Sequence, residues 1–223
     1  MTHMVETPTV ELKSNIDLHI LTVPSRKELF QRALASIPNG LFNVHIVDTT
    51  FGLSIGQERL RAFRQGDSEY CTFLNDDDEL VSDGAEQTVE MLHHNPKAVG
   101  VFSDELVVDD LTGAVTAGRS TGTGIWDPIR MFKYPSYGHQ LLIMKRSVVE
   151  KHMPIASHYG TLSEYVLRCL AMWEGDWVHA PFVAYKWHIH RGNNHKLLTP
   201  RHRWEAIKFV LPVLKRLNYL PEA

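Results

Sequence analysis

The first half of the chain alternates short apolar, β-branched runs with longer stretches of helical periodicity. Ile16 to Val23 reads as a strand. Ser25-Arg26-Lys27-Glu28 has the pattern of a capping box, and predicts a helix to about Ser36 that Pro38-Asn39-Gly40 would stop. Phe42 to Val47 is a second strand, ending at Asp48. Ser54-Ile55-Gly56-Gln57 predicts another capped helix, with Ile55, Leu60 and Phe63 on its inner face. Tyr70 to Leu74 is a third strand, Asp83 to His94 a helix stopped by Asn95-Pro96, and Ala98 to Phe102 a fourth strand.

Strands that alternate with helices imply parallel pairing through right-handed crossovers, hence an open α/β sheet. Such sheets bind ligands at the carboxyl ends of their strands, where Asp48 and the carboxylates after Leu74 fall. The second half is less regular. Glu105 to Thr116 reads as a hairpin around Asp110-Leu111-Thr112-Gly113, and Arg119 to Tyr137 as a long loop, of the kind that often serves as a lid or binding segment. Gln140 to Met144 suggests a strand, Thr161 to Met172 a helix, and Trp177 to Lys186 one or two strands. Thr199-Pro200 would open a last helix, with Thr as cap and Pro in the first turn.

Candidate chemistry concentrates at Tyr70-Cys71-Thr72-Phe73-Leu74-Asn75-Asp76-Asp77-Asp78-Glu79, where a β-prone segment ends in four consecutive acidic side chains. Two such charges ~4 Å apart repel by roughly 4 kcal/mol at an effective dielectric of about 20. A divalent cation would convert that repulsion into attraction, and Mg²⁺ or Mn²⁺ selects oxygen ligands. The plainer reading is a solvated turn whose carboxylates favour the N-terminus of the following helix.

Composition narrows the classes. The 223 residues are 43% hydrophobic and 22% charged with a net charge of −3, ordinary for a globular protein and no general attraction for polyanions. No apolar run suggests a membrane span, and Met1 to Ser14 reads as a disordered lead-in with no secretory pattern. Cys71 and Cys169 lack metal-ligand spacing and fit a reducing cytoplasm. From Lys186 to Lys215 the chain is basic: Lys186, Arg191, Lys196, Arg201, Arg203, Lys208 and Lys215, with His188, His190, His195 and His202, face Glu205 alone. That stretch is a solvated helix face or a phosphate-facing surface.

Taken together, several segments resemble the family 2 glycosyltransferases of the GT-A fold. They are the first strand, Asp48 ending the second, Gly56 and Arg59, Phe73-Leu74-Asn75-Asp76-Asp77-Asp78, Ser163-Glu164-Tyr165, and Tyr185-Lys186-Trp187-His188-Ile189-His190-Arg191-Gly192-Asn193-Asn194. The resemblance covers about Ile16 to Asn194. It implies a single-domain, GT-A-like (Rossmann-like) α/β fold, an open mixed sheet flanked by helices. Residues 15–104 would form the nucleotide-sugar half, 105–198 the acceptor and catalytic half, and 199–223 a C-terminal helix.

The resemblance further implies sugar transfer from a nucleotide-sugar, a UDP-sugar first, to a hydroxyl acceptor with inversion and with Mn²⁺ or Mg²⁺ as cofactor. Pro24, Asp48, Arg59, Asn75, Asp76 and Arg191 would bind the donor, and Asp77, Asp78 and His190 the metal. The DXD motif falls on Asn75-Asp76-Asp77 or, shifted, on Asp76-Asp77-Asp78; both registers are open. Glu164 would be the catalytic base, although Ser163-Glu164 departs from the family's Glu-Asp pair, and a helix-start acid is the structural alternative. Trp126, Tyr134, Tyr137 and Trp187 are candidate sugar platforms, and Arg191 and Lys196 candidate diphosphate contacts. A polyanionic acceptor, modified DNA bases included, is left open.

Two other classes compete. A nucleotidyltransferase would carry a glycine-rich basic loop after the first strand, where this chain has Thr22-Val23-Pro24-Ser25-Arg26-Lys27. A non-catalytic protein that binds nucleotide-sugar or nucleic acid would tolerate the departures at Asn75 and Ser163.

Overall fold

In the computed structural model, which describes residues 14–49, 52–118 and 141–192 and a few helical positions between 204 and 216, eight strands form one sheet. The order is β2 (Asn43–Asp48), β1 (Ile16–Thr22), β3 (Tyr70–Asn75), β7 (Leu142–Lys145), β5 (Gly100–Asp109), β8 (Trp177–Ile189) and β4 (Glu79–Leu80), with β6 (Val115–Ala117) paired to β5 as a hairpin. β1 pairs with β2 and β3 in parallel, as the alternation predicts. The fourth predicted strand does not join β3. β7 lies between them, antiparallel to both. Its antiparallel entry makes the sheet mixed rather than wholly parallel.

Helices cover both faces. α1 (Lys27–Ala35) and α3 (Ser82–His94) pack on one side; α2 (Ile55–Phe63), α4 (Arg146–Ala156) and α5 (Ser163–Ala171) pack on the other. Strand periodicity divides the core accordingly: Ile16, Leu18, Ile20, Tyr70 and Leu74 enter the first layer, while Cys71 and Phe102 join Phe63, Met153 and Leu170 in the second. Burial on both faces explains why the central strands β1 and β3 read as near-continuous apolar runs.

The caps divide the two predicted boxes. At α2, Ser54 Oγ accepts from Gln57 N at 3.3 Å and Gln57 Oε1 accepts from Ser54 N at 2.9 Å, as expected. The box predicted at Ser25 does not form: Pro24–Arg26 is a 3₁₀ turn, and α1 starts at Lys27 with no side-chain cap. Pro24 fixes the turn's first φ, Arg26 N donates to Val23 O at 2.9 Å, and the Arg26 side chain is engaged elsewhere. α4 was not foreseen. It has no capping side chain, and Pro154 near its end reads as a breaker. Thr199-Pro200, Arg119 to Tyr137 and residues 1–13 lie outside the described residues, whereas Trp204, Lys208 and Lys215 are helical, in line with a last helix. No helix among the described residues is long and apolar enough to cross a membrane.

Under α2 the sheet carries a buried polar patch. Asp17 accepts from Ser68 N and Ser68 Oγ and pairs with His45 and Arg146. Burial works against its charge, but the bonds with His45 and Ser68 prevail and hold its pKa at about 2. Beside it His19 is fully buried, stacked on His45 and flanked by Phe63 and Phe73, with no hydrogen-bond partner on either ring nitrogen. Burial, reinforced by His45, pushes the His19 pKa down to about 3. The unfolded chain therefore takes up a proton at His19 near pH 6.5 that the folded chain refuses, so stability must fall as the pH drops through that range. A His19→Phe variant is expected to lose about 2 kcal/mol less than wild type between pH 7.5 and 5 in urea unfolding. Parallel pH profiles for the two proteins would overturn the assignment.

Candidate functional site

The site lies at the carboxyl ends of β1, β2 and β3. After Asn75 the chain turns, with Asp78 N donating to Asn75 O at 3.2 Å, and enters β4, which pairs antiparallel with β8 (Glu79 with Lys186, Leu80 with Tyr185). That pairing brings the acidic turn against the end of β8. Asp76, Asp77 and Asp78 are 4%, 7% and 1% exposed, so the solvated-turn reading fails.

The three aspartates do different work. Asp78 Oδ2 accepts from the Tyr185 hydroxyl at 2.7 Å and from Asn75 Nδ2 at 2.9 Å, and its Oδ1 accepts from His188 N at 2.9 Å. Burial raises its pKa well above the usual range, and the neighbouring Asp77 charge adds to this, against those three bonds. Asp76 Oδ1 accepts from Arg26 Nη1 at 2.8 Å. Burial raises the Asp76 pKa, opposed by Arg26 and by a bond from the Val23 backbone. Asp77 Oδ2 faces both Arg26 Nη1 at 3.2 Å and His190 Nε2 at 3.0 Å. His190 Nδ1 accepts from Gly192 N at 3.1 Å, so the neutral ring carries its proton on Nε2 and donates it to Asp77.

Behind the turn, Arg32 donates to the Asp77 carbonyl at 3.1 Å and pairs with Glu79 at 3.2 Å and Asp110 at 3.3 Å. Asp110 in turn contacts His188 Nδ1 at 2.6 Å. The Asp110 pKa is lowered: burial would raise it, but the bonds to His188 and Arg32 prevail. Arg26, Arg32, Asp110 and Tyr185 join the cluster, though none of them was among the site residues the sequence suggested. Arg26 had one available signal, a cation immediately after the first strand, on the same sheet edge as the acidic run.

Glu164 stands apart at the start of α5. Gly56 lets α2 approach the Ser157–Leu162 turn so closely that a Cβ would meet Ser157 O at 2.3 Å. One helical turn on, Arg59 donates to Ser163 Oγ at 2.9 Å and Glu164 Oε2 at 3.0 Å, while Arg168 pairs with Glu164 Oε1. Both oxygens of the candidate base therefore carry guanidinium partners. Arg59, expected near the base or diphosphate of a donor, is placed on Glu164 instead. The two acidic groups nevertheless share an environment: burial raises the Tyr185 pKa, followed by the charges of Asp78 and Glu164.

The remaining candidates sit at the rim. Asp48 is exposed at the end of β2, its carbonyl accepting from Arg61. Pro24 is exposed on the 3₁₀ turn, and Arg191 is exposed just past β8. Trp126, Tyr134, Tyr137, His195 and Lys196 lie outside the described residues.

Among the described residues no three Asp, Glu, His or Cys side chains converge as a ready-made ion site. Asp78, expected among the ligands, has both oxygens engaged inside the fold. The pair that does meet, Asp77 and His190, offers a carboxylate oxygen and an imidazole nitrogen, a donor set suited to Mn²⁺; to ligate, His190 would move its proton from Nε2 to Nδ1 and give up the bond from Gly192 N. A guanidinium already stands on the same Asp77 oxygen, so the position accepts a cation. Two protein ligands are enough where phosphate oxygens and water complete the shell.

No family model and no curated protein matches the sequence. Solved structures do match. S. aureus TarS 1–349, a GT-A-type family 2 glycosyltransferase, aligns at TM-score 0.65 and 11% identity over 89% of this chain and 65% of that one. The same fragment in complex with UDP gives 0.64 and 12% over 89% and 65%, and in complex with UDP-GlcNAc 0.66 and 10% over 89% and 66%. The chain thus spans somewhat less than two thirds of the TarS fragment, and 39% of the longer TarS chain. At these identities the likeness establishes the fold: a single-domain, open mixed α/β sheet of GT-A type.

Proposed function

We propose that this protein is a metal-dependent, inverting glycosyltransferase that moves a sugar from a nucleotide-sugar to a hydroxyl acceptor. The observation that carries the reading is the meeting of Asp77 and His190 at 3.0 Å, from segments far apart in sequence, at the carboxyl edge of a GT-A-type sheet. TarS structures hold UDP and UDP-GlcNAc, which supports a UDP-sugar as the donor to test first. Exposed Asp48 and Pro24 would border the nucleotide, and Arg191 the diphosphate.

Asp77 and His190 would hold Mn²⁺ or Mg²⁺. The ion's contribution is to neutralise charge that builds on the leaving phosphate. Asp76 keeps the exit of β1 at the site through Arg26 and the Val23 backbone. Asp78, Tyr185 and the His188 amide fix the turn, so that Asp77 needs no reorganisation as charge develops. Glu164 would take the acceptor proton; Arg59 and Arg168 orient it. The saturation of both its oxygens by those arginines also favours a second reading, a protein that binds nucleotide-sugar without turnover. Assaying release of UDP separates the two.

Asp77→Asn should remove Mn²⁺-dependent UDP binding in calorimetry while the melting temperature stays close to wild type. Asp78→Ala should act the other way round, with an unfolding cost on the order of 3 kcal/mol, because it strands the Tyr185 hydroxyl and the His188 amide. Equal losses of binding and equal stabilities in the two variants would refute this division of labour. For Glu164→Gln, turnover should fall by about 10²–10⁴ with UDP affinity retained. Near-normal turnover would move the base elsewhere.

A further inference from the structure

Arg26 is the residue that the proposed chemistry does not explain. Its Nη1 bridges Asp76 Oδ1 at 2.8 Å and Asp77 Oδ2 at 3.2 Å, and its Nη2 reaches the Gly192 carbonyl at 3.4 Å. One guanidinium thus ties together the exit of β1, the acidic turn and the chain just past β8. The oxygen it shares with His190 is the one that would face a divalent ion. An ion arriving alone would press against a fixed positive charge for the same carboxylate.

We infer that Arg26 is an internal counter-cation that holds the ion position until a nucleotide diphosphate arrives, so that metal and donor are taken up together. The inference rests on the metal-dependent reading above and deepens it. Asp76 keeps a second donor in the Val23 backbone, so the turn retains an anchor when the side chain leaves. The Arg26 backbone lies in a proline-started 3₁₀ turn, whereas its side chain is 24% exposed, which leaves the guanidinium room to move. A planar guanidinium fork matches phosphate oxygens as well as it matches carboxylates. A diphosphate therefore gives Arg26 a new anionic partner at the moment the ion takes its place on Asp77. Arg26 would be a positioning residue that couples the two ligands.

The test is Mn²⁺ binding followed by EPR of the free ion, with and without UDP, on the full chain. Wild type should bind Mn²⁺ weakly alone and markedly better with UDP. Arg26→Gln should bind Mn²⁺ alone about tenfold more tightly, within the ordinary range of coupling between sites, and show a smaller gain on adding UDP. Arg26→Met, a second neutral variant, should behave alike, whereas Arg26→Lys, which keeps the charge, should stay near wild type. Melting curves establish that each variant is folded. A folded neutral variant with unchanged or weaker Mn²⁺ binding, or a wild type that binds Mn²⁺ equally with and without UDP, overturns the inference and leaves the metal-dependent reading intact. Absence of Mn²⁺ binding in every protein, UDP present or not, overturns that reading and the inference with it.

Discussion

The buried Asp78 carboxylate holds this end of the molecule together. A carboxylate withdrawn from water is tolerated only when its oxygens are satisfied, and Asp78 receives the Tyr185 hydroxyl, the Asn75 amide and the His188 N–H. Two of those donors belong to β8, so the turn after β3 can close only where β8 runs beside β4. The same constraint sets Asp77 against His190, two residues beyond the amide that Asp78 accepts. A single buried carboxyl group thus turns the sheet's long-range pairing into a local geometry, and the neighbouring carboxylates inherit their positions from it.

Much of this was legible in the sequence. The β1, β2 and β3 strands, the Ser54 cap and the Glu105 to Thr116 hairpin follow from apolar period and turn chemistry, both local properties. The acidic run was recognisable as a candidate because it falls at the carboxyl end of a strand in an open α/β sheet, and His190 because the resemblance pointed to it. Three aspartates in a row, however, look alike on paper. Whether a turn sends each one inward, along the edge or toward a partner depends on backbone dihedrals and on β8, which pattern reading cannot supply. The same limit hid Arg26: a Ser-x-x-Glu pattern pointed to a cap, whereas in the fold the Arg26 charge is claimed by carboxylates fifty residues away. The placement of β7 was equally out of reach, since strand direction depends on what connects two strands rather than on the strands themselves.

Charge balance explains how so many ionised groups are accommodated near one edge. Asp76 and Asp77 share Arg26, while Glu79 and Asp110 share Arg32, which also takes the Asp77 carbonyl. Glu164 has Arg59 and Arg168. Each carboxylate cluster is thus matched by guanidinium groups, whose rigid forks fix orientation as well as charge. Surface ion pairs of this kind contribute little to stability, but partly buried ones are costly to break on one side only. The arrangement therefore favours positional order over net stabilisation.

That distinction bears on how the two acidic centres relate. Glu164 is held by α2 and α5, and the acidic turn by β4 and β8, so each belongs to a different packing layer. Their common neighbour is Tyr185, whose hydroxyl bonds Asp78 and also feels the Glu164 charge. Tyr185 is fixed by its bond to Asp78, which holds one side of that relation in place. A buried carboxylate framework ringed by guanidinium groups is what a site needs if it is to receive a polyanionic ligand without repacking its core.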